Sequence, residues 1–277
     1  MSMTNETAII TGSTSGIGKK IAELFLEENC KVVICSRSKK RVNETVSEFQ
    51  KNYEGSVIGY ACDVTKVDEI KAMIENTVKT FGTIRILVAN AGLNTTFGPL
   101  EYLTPEQVYE DAQFVIGVNL IGMINSVTAV LPYMINHNYG RIITIAGAGV
   151  SRPTPNMTLY SASKGGVVTF SKCLAEELNG RDYDIKINIF FPGMIDTNLG
   201  KNTRIIEAWK DDKTFRKEQS IVLAHIGTNI DESCKKVKEY VLPSCKDTGK
   251  EFRGFSLFKM IYGGRKLQKT LKEARLM

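Results

Sequence analysis

Tyr160 and Lys164 lie four residues apart in the segment YSASK, and together they could move a proton. Residues four positions apart share one face of an α-helix, so the ammonium group can lie near the phenol. A nearby positive charge favours the phenolate and lowers the pKa of a tyrosine. The spacing therefore predicts an acid–base pair that donates or accepts a proton near neutral pH.

A glycine-rich run, TGSTSGIG at residues 11–18, follows the first apolar run and precedes a helical pattern. Glycines at this place let the backbone turn tightly and approach a pyrophosphate, which binds the exposed N–H groups of the helix N-terminus. The run therefore predicts a dinucleotide-binding turn. We expect its contacts to come from Gly12, Ser13, Ser15, Gly16, Ile17 and Gly18.

Short, β-branched-rich apolar runs alternate with helical patterns along most of the chain. The predicted strands are Thr7–Thr11, Lys31–Cys35, Ser56–Cys62, Ile84–Ala89, Arg141–Ala146 and Lys186–Phe191, with another near Glu251–Leu257. The predicted helices are Lys19–Glu28, Lys39–Lys51, Val67–Phe81, Glu106–His137 and Leu159–Leu178. Continuous apolar runs are typical of parallel strands covered on both faces. The alternation predicts one α/β domain with a doubly wound parallel sheet in a three-layer αβα sandwich.

Three motifs occur in order: T-G-x-x-x-G-x-G at residues 11–18, N-A-G at residues 90–92, and Y-x-x-x-K at residues 160–164. This combination resembles the short-chain dehydrogenase/reductase family over roughly residues 5–200. The resemblance implies a Rossmann-type fold and an NAD(P)-dependent oxidoreductase that interconverts a secondary alcohol and a ketone. It implies that Tyr160 is the acid–base group and that Lys164 lowers the tyrosine pKa and holds the nicotinamide ribose. Asn119 lies where relatives hold a water that connects the lysine to solvent.

The end of the second strand carries Ser36 and Arg37 and no carboxylate. A carboxylate there would hydrogen-bond the adenosine ribose and repel a 2′-phosphate. The planar guanidinium and the neighbouring hydroxyl suit a phosphate instead. We therefore expect a preference for NADP(H), with NAD(H) possible; the alternative is a solvent-exposed arginine at a helix start.

The resemblance implies further cofactor contacts after the third, fourth and sixth strands. The aspartate after the third strand looks like the adenine-contacting one of the family, although its residue type equally fits a helix N-cap. The N-A-G turn stabilises the central sheet in relatives, and the P-G-x-x-x-T segment turns over the nicotinamide. The implied contacts are Asp63, Val64, Asn90, Ala91, Gly92, Pro192, Gly193, Ile195 and Thr197.

The sequence departs from the family at Gly147, thirteen residues before Tyr160, where most members have a serine that donates to the substrate carbonyl. Loss of one such donor typically costs about 2.7–4 kcal/mol of catalysis. We favour replacement by another group: Ser151, Asn156, Thr144, or the backbone N–H groups of the glycine-rich turn. Glycines at 147 and 149 would also let a bulky or polar substrate approach the backbone.

Two other interpretations remain open for the same departure. The chain could bind the dinucleotide as a regulatory or scaffold protein with weak or no turnover. Alternatively, the chemistry could differ from simple ketone reduction, for example sugar epimerisation. The glycine-rich turn and proline-containing loop resemble a subgroup associated with sugars and polysaccharides. Gly147, Ser151 and Asn156 are therefore candidate contacts for a sugar or nucleotide-sugar substrate.

The composition of the 277 residues, with 43% hydrophobic and 24% charged, is that of a globular protein. The net charge of +6 resides in residues 250–277, which hold eight basic and two acidic residues. The plain interpretation of this tail is a solvated terminal helix. It could also cover the substrate pocket of its own or a neighbouring subunit, and a phosphate-bearing substrate would suit it. Nucleic-acid binding would rest on this tail alone, and we do not expect it.

The number and spacing of the cysteines and histidines indicate the compartment of the protein and whether a metal site is expected. Six scattered cysteines without C-x-x-C spacing indicate reduced thiols in the cytoplasm, and two histidines predict no metal site. We find no run of about 18 apolar residues and no signal-peptide pattern, so we expect no membrane partner.

We expect a single domain over residues 1–277, with a core at 5–197, a mobile substrate lid at 198–229 that carries Trp209, and the basic tail at 250–277. In relatives the helices at 106–137 and 159–178 pack across a dimer axis, which implies a homodimer or homotetramer.

Overall fold

The computed structural model describes residues 3–150 and 152–273. The strands are β1 (Thr7–Thr11), β2 (Lys31–Ser36), β3 (Val57–Ala61), β4 (Ile86–Ala89), β5 (Thr96–Phe97), β6 (Tyr139–Ile145), β7 (Asp184–Phe191), β8 (Arg204–Ile205) and β9 (Glu251–Arg253). The α-helices are α1 (Gly16–Glu27), α2 (Lys39–Gln50), α3 (Val67–Phe81), α4 (Pro105–Ile116), α5 (Gly122–Asn136), α6 (Thr158–Leu178), α7 (Asn198–Lys201), α8 (Asp212–Ile226), α9 (Ile230–Val241) and α10 (Leu257–Glu273).

Seven parallel strands form the central sheet, in the order β3-β2-β1-β4-β6-β7-β9. Apolar side chains on one face pack against α1, α2 and α9, and those on the other face against α3, α5 and α6. The predicted doubly wound αβα fold is confirmed. The strand order reverses between β1 and β4, and ligands bind at the carboxyl ends of the strands at such a switch point.

The predicted helix Glu106–His137 is divided in the structure. Thr104 and Gln107 form a capping box at the start of α4, which ends at Ile116. A π-helical segment, Gly117–Ile121, follows and leads directly into α5. A π-helical turn accommodates an extra residue, and such turns are frequent at functional sites. The apolar spacing continues through it, which is why the sequence pattern predicted one uninterrupted helix.

The stretch Pro105–Asn136 is long and apolar enough to cross a membrane, with a mean hydropathy of 2.0 in its most apolar part. The prediction that no stretch of this kind exists was therefore wrong. The core helix of a soluble protein passes the same test, and 44% of that part is buried inside the protein. Val127 and Met134 of α5, for example, are fully buried against the sheet.

The proposed lid, residues 198–229, is packed against the core by a small second sheet. Strand β8 pairs in parallel with β5. The Phe97 ring centre lies 4.6 Å from that of Phe215 and 5.9 Å from that of Trp209. This aromatic cluster fastens α8 to the loop that follows β4. The division into core, lid and tail stays a prediction.

The C-terminal elements are anchored to the sheet through Arg141, whose side chain is fully buried. Its guanidinium donates to the carboxylate of Asp184 at 2.8 Å and to the carbonyl oxygens of Leu242 and Pro243 at 3.3 and 3.2 Å. These bonds hold the end of α9 against β6. The last strand begins at Glu251, as predicted, but ends at Arg253, and α10 then packs along α8.

Candidate active site

Three glycines shape the turn between β1 and α1. Gly12 and Gly16 have φ values of +67° and +55°, a left-handed conformation that side chains other than glycine rarely adopt. A Cβ atom on Gly18 would overlap the amide nitrogen of Asn90 and the carbonyl oxygen of Gly12. The backbone therefore turns tightly here, as the glycine-rich run predicted, and the helix begins close to the sheet.

The N-terminus of α1 fits the pyrophosphate of a dinucleotide. Ser15 occupies the N-cap position, but its side chain accepts no capping hydrogen bond, and the first turn holds no acidic residue. The first N–H groups of a helix have no partner within the helix and attract negative charge. The backbone of Gly16, Ile17 and Gly18 is thus available to an anion. The Thr197 methyl group lies 3.3 Å from where a Cβ of Gly16 would be, so the segment after β7 faces this turn.

Ser13 has a structural role in this turn, and its contact with the cofactor stays a prediction. Its hydroxyl donates to the carbonyl oxygen of Ile10 at 2.6 Å and accepts from the N–H of Cys35 at 2.9 Å. Its own N–H donates to the carbonyl oxygen of Cys35 at 3.0 Å. The residue is fully buried, and these hydrogen bonds tie β1 to β2.

Asn90 joins the N-A-G turn to the glycine-rich turn. Its side-chain amide donates to the carbonyl oxygens of Thr11 and Gly12 at 2.8 and 3.3 Å. The Thr11 hydroxyl in turn accepts from the N–H groups of Asn90 and Ala91 at 3.0 and 2.9 Å. The ends of β1 and β4 are therefore fixed relative to each other.

Arg37 is exposed just beyond the end of β2, where the sequence predicted a phosphate contact, and Ser36 is half-buried. Asp63 follows β3, and its carboxylate accepts from the N–H and the hydroxyl of Thr65 at 3.0 and 2.8 Å. Partial burial would raise the pKa of Asp63, but these hydrogen bonds and the charge of Arg37 lower it overall. Lys66, not Asp63, is the N-cap residue of α3, and Asp63 stabilises the turn before it.

Val64 is buried beneath the π-helical segment. A Cβ atom on Gly122 would overlap its side chain, so the glycine allows α5 to pack directly on it. Its side chain therefore serves packing, which leaves only its backbone for the predicted cofactor contact.

The first two turns of α6 bring Tyr160 and Lys164 together, as the spacing predicted. The ammonium nitrogen of Lys164 lies 5.7 Å from the centre of the Tyr160 ring and donates to the carbonyl oxygen of Ile145 at 2.8 Å. Both side chains are buried. The lysine is thus held between the end of β6 and the tyrosine.

Burial shifts the two pKa values in opposite directions. Desolvation raises the pKa of Tyr160 to about 12 and lowers the pKa of Lys164 to about 8. The sequence-based expectation that the lysine lowers the tyrosine pKa does not hold for the protein without cofactor, because loss of hydration dominates. At neutral pH the phenol therefore carries its proton, and most Lys164 side chains are charged.

Asn119 lies in the π-helical segment and is fixed by three hydrogen bonds. Its oxygen accepts from the N–H of Leu93 at 2.8 Å, and its nitrogen donates to the carbonyl oxygen of Leu93 at 2.9 Å and to the Ser163 hydroxyl at 3.0 Å. A Cβ atom on Gly92 would lie 3.3 Å from the Asn119 oxygen and 3.5 Å from the Lys164 nitrogen. The N-A-G turn, the π-helical segment and the Y-x-x-x-K motif therefore meet at Gly92.

Ser163 is a site residue that the sequence analysis missed. Its hydroxyl donates to the carbonyl oxygen of Tyr160 at 2.7 Å while it accepts from Asn119. It thereby connects the π-helical segment to the first turn of α6. Its position three residues after Tyr160, on the same helix face, is the signal that could have identified it.

Gly147 packs directly against the tyrosine. A Cβ atom on Gly147 would lie 2.5 Å from Tyr160 Oη and 3.0 Å from Cε1 of the ring. Gly149 has a φ of +89°, and a Cβ there would overlap Ser161. The loop after β6 can lie on the first turn of α6 only because these residues are glycines. The tyrosine ring fills the volume in which a serine side chain would begin.

The structure narrows the groups that could replace the missing serine. The Thr144 hydroxyl is fully buried and lies 2.8 Å from the Ser171 hydroxyl, so it is not available to a substrate. Ser151 lies outside the described residues. Asn156 has a φ of +68° and its carbonyl oxygen accepts from Gly98 at 2.9 Å. It lines a cavity of about 10 Å³, which has room for one water.

The segment after β7 turns at Gly193, whose φ of +88° favours glycine. The Pro192 carbonyl oxygen accepts from the Ser233 hydroxyl of α9 at 2.7 Å, which fixes the start of the turn. Ile195 and Thr197 are half-buried beyond it.

The model of the short chain dehydrogenase family matches residues 6–207. The chain belongs to this family. A 3-oxoacyl-(acyl-carrier-protein) reductase of Thermotoga maritima is 36% identical over 199 residues, which are 72% of this chain and 78% of the relative. Glucose 1-dehydrogenase 2 of Bacillus subtilis is 33% identical over 229 residues, 80% and 86% of the two chains.

Solved structures of the family share this fold. A 3-ketoacyl-(acyl-carrier-protein) reductase from Brucella melitensis, crystallised with NADH, is 26% identical with a TM-score of 0.76 and covers 91% of this chain and 97% of its own. This short-chain dehydrogenase is therefore an NAD(P)-dependent oxidoreductase that acts on CH–OH groups.

Proposed function

We propose that this short-chain dehydrogenase prefers NADP(H) and interconverts a secondary alcohol and a ketone through Tyr160, Lys164 and Asn119. The observation that carries the proposal is that the ammonium nitrogen of Lys164 lies beside the Tyr160 ring and, together with the Asn119 oxygen, next to Gly92. The relatives named as a 3-oxoacyl reductase and a glucose dehydrogenase are of the same reaction class.

The cofactor supplies or accepts the hydride, and the protein residues hold it in place. The N–H groups of Gly16, Ile17 and Gly18 bind the pyrophosphate at the start of α1. Arg37 and Ser36 bind the 2′-phosphate, since the end of β2 holds no carboxylate that would repel it. The remaining contacts come from the loops after β3, β4 and β7: Asp63, Val64, Asn90, Ala91, Gly92, Pro192, Gly193, Ile195 and Thr197.

In the reducing direction, Tyr160 Oη would donate its proton to the oxygen of the substrate carbonyl. The raised pKa of Tyr160 keeps this proton in place until a substrate arrives. The charge of Lys164 then stabilises the phenolate that forms, and Asn119 positions the path by which solvent returns the proton. In the oxidising direction Tyr160 accepts the proton instead.

The substrate approaches the backbone of Gly147 and Gly149, where the serine of most family members is missing. In this proposal the backbone N–H groups of the loop after β6 and Tyr160 Oη hold the substrate oxygen, and Ser151 and Asn156 are further candidate contacts. A sugar or nucleotide-sugar substrate is the class we propose, because a polar ring can use backbone donors where a serine is missing.

The decisive experiment is the substitution Tyr160→Phe, with Tyr240→Phe on α9 as the matched control. We expect turnover on ketones and sugars to fall by about 10²–10⁴-fold, as for loss of an acid–base group. Binding of NADPH, followed by its fluorescence, should stay unchanged, because the phenol does not contact the phosphates. Equal turnover in Tyr160→Phe and Tyr240→Phe would refute the catalytic role.

A second candidate function is a dinucleotide-binding regulator with weak or no turnover. Two observations favour it: the glycine in place of the serine, and a Tyr160 hydroxyl that none of the described residues hydrogen-bonds. The same experiment separates the two. A regulator would bind NADPH without turnover on any carbonyl or alcohol in the panel, and its biological activity would survive Tyr160→Phe.

We further propose that the protein forms a homodimer or homotetramer in the cytoplasm. Exposed apolar side chains on α4, with Tyr109 66% and Phe114 58% exposed, would be covered by a second copy. All six cysteines are free, which suits a reducing compartment.

A further inference from the structure

The helix α10 carries a surface that the enzyme function does not use. Its first two turns expose five apolar side chains, among them Phe258 at 80% and Ile261 at 60%. The others are Leu257, Met260 and Tyr262. We propose that this surface, the α10 face, docks the protein on an anionic phospholipid membrane. The proposal is independent of the reaction that the active site catalyses.

The packing of α10 on α8 fixes which side points outward. Gly263 is buried, and a Cβ atom there would overlap the carbonyl oxygen of His225. The Thr270 hydroxyl lies 3.1 Å from the Nε2 atom of the same histidine. These contacts lie on one side of the helix at seven-residue spacing, and Phe258 and Ile261 therefore project from the opposite side. The apolar side chains are thus held away from the protein by a rigid support.

The charge of α10 is complementary to an anionic surface. The helix holds five basic residues and one acidic residue, Glu273. Lys269 approaches Glu273 at 3.9 Å, and within the described residues the other four cations form no ion pair. These four are Lys259, Arg265, Lys266 and Lys272. Cations that follow exposed apolar residues are the combination by which helices bind at the headgroup level of membranes.

A cleft at the start of α10 offers space for a lipid phosphate. It has a volume of about 330 Å³ and its lining includes Arg253, Lys259, Lys236 and Glu232. Lys236 pairs with Glu239 at 3.1 Å, which leaves Arg253 and Lys259 as free cations among the described residues. The cleft also includes Met260, so the place for a phosphate adjoins the exposed apolar turn.

An anionic lipid surface fits the α10 face better than a second copy of the chain does. A symmetric dimer brings the same patch of both copies together, which would place the unpaired cations of α10 against each other. Like charges in such an interface cost free energy. A membrane that contains anionic lipid would bury the apolar side chains and pair the cations with its phosphate groups at the same time.

Vesicle co-sedimentation tests the proposal with vesicles of phosphatidylcholine, with or without phosphatidylglycerol. We expect binding to the vesicles that contain phosphatidylglycerol, weakening as salt is added, and little binding to phosphatidylcholine alone. The variants Phe258→Ser/Ile261→Ser and Lys266→Glu/Lys272→Glu should each weaken binding on the order of tenfold or more. The matched controls Val67→Ser/Tyr102→Ser and Lys51→Glu/Lys71→Glu should bind as the unmodified protein does.

Three results would overturn the proposal. The first is equal binding to both kinds of vesicle, and the second is binding that the α10 variants leave unchanged. The third is a loss of self-association in Phe258→Ser/Ile261→Ser, seen by sedimentation velocity, without any vesicle binding by the unmodified protein. That result would assign the face to a contact between copies. NADPH titration and thermal unfolding of every variant exclude misfolding as the cause.

Discussion

The two ends of the active site are stabilised in opposite ways. At the cofactor end, the buried polar side chains of Thr11 and Ser13 are hydrogen-bonded to backbone groups, and the side-chain amide of Asn90 donates twice. At the reacting end, Lys164 has one hydrogen bond, and none of the described residues bonds the Tyr160 hydroxyl.

The difference shows which end of the site lowers the stability of the protein for the sake of catalysis. Fully satisfied hydrogen bonds between strands make the cofactor end rigid without lowering the stability of the fold. Buried ionisable groups with few partners destabilise a protein, and they are typical of sites where a proton must be ready to move. Alterations of the hydrogen-bonded side chains at the cofactor end should therefore lower the stability of the protein, and removal of the buried charge of Lys164 at the reacting end should raise it.

The substitution Lys164→Met sharpens this contrast most strongly. It removes the charge that stabilises the phenolate, so we expect carbonyl reduction to fall by about 10²–10⁴-fold. At pH 7 it should also raise the free energy of unfolding by about 1–3 kcal/mol, since a desolvated ammonium is replaced by an apolar side chain of similar length. Steady-state kinetics and urea unfolding measure the two effects.

The pH dependence of that gain identifies its cause. The pKa of Lys164 is about 8 in the folded protein and 10.5 in the unfolded chain, so the unfolded chain binds more protons between these values. The unmodified protein should then gain stability relative to Lys164→Met as pH rises through this window. The control Lys172→Met replaces an exposed lysine on α6. The unmodified protein should gain no stability relative to this control as pH rises through the same window. A stability difference that is independent of pH would contradict the explanation.

The substitution Gly147→Ser tests whether the reacting end can accept the family's serine. Because a Cβ atom would lie 2.5 Å from Tyr160 Oη, the tyrosine must move. We expect a loss of stability of about 1–3 kcal/mol from overpacking and a decrease in turnover of about tenfold or more. Ala148→Ser, which places the same side chain on an exposed neighbour, is the control. An increase in turnover in Gly147→Ser would contradict the claim that the reacting end cannot accept a serine at this position.

The smallest expected effect is at the cofactor end, on Arg37→Ala. Loss of one charged hydrogen-bonding group should weaken NADPH binding about tenfold and leave NADH binding within about twofold. Fluorescence titration of both cofactors measures this, with Arg41→Ala, an exposed arginine one turn into α2, as the control. Tighter binding of NADH than NADPH by the unmodified protein would reject the role of Arg37.

The sequence predicted the architecture well because continuous apolar runs define buried parallel strands. All six core strands are present, with ends that differ by up to two residues, and β9 begins at the predicted Glu251. The proximity of the Tyr160 and Lys164 side chains could be predicted from their helical spacing alone. Features of this kind depend on residues that are close in the chain.

The features that escaped prediction depend on contacts between distant elements. The partner of the Ser13 hydroxyl is a backbone group of β2, and that of Thr144 is a serine on α6. The direction of the tyrosine pKa shift depends on how completely the loop after β6 covers it. The π-helical segment escaped because its apolar residues keep a helical spacing on both sides.

The π-helical segment Gly117–Ile121 makes this chain sensitive to changes in length. Removing one residue from an ordinary α-helix rotates everything beyond it by about 100°, whereas the extra residue of a π-helical turn can be removed without rotating the helix that follows. A deletion here would keep the buried side chains of α5 in the core but would shift Asn119 relative to Leu93. The same deletion in a surface loop would be absorbed. At this point of the fold, the number of residues matters as much as their identity.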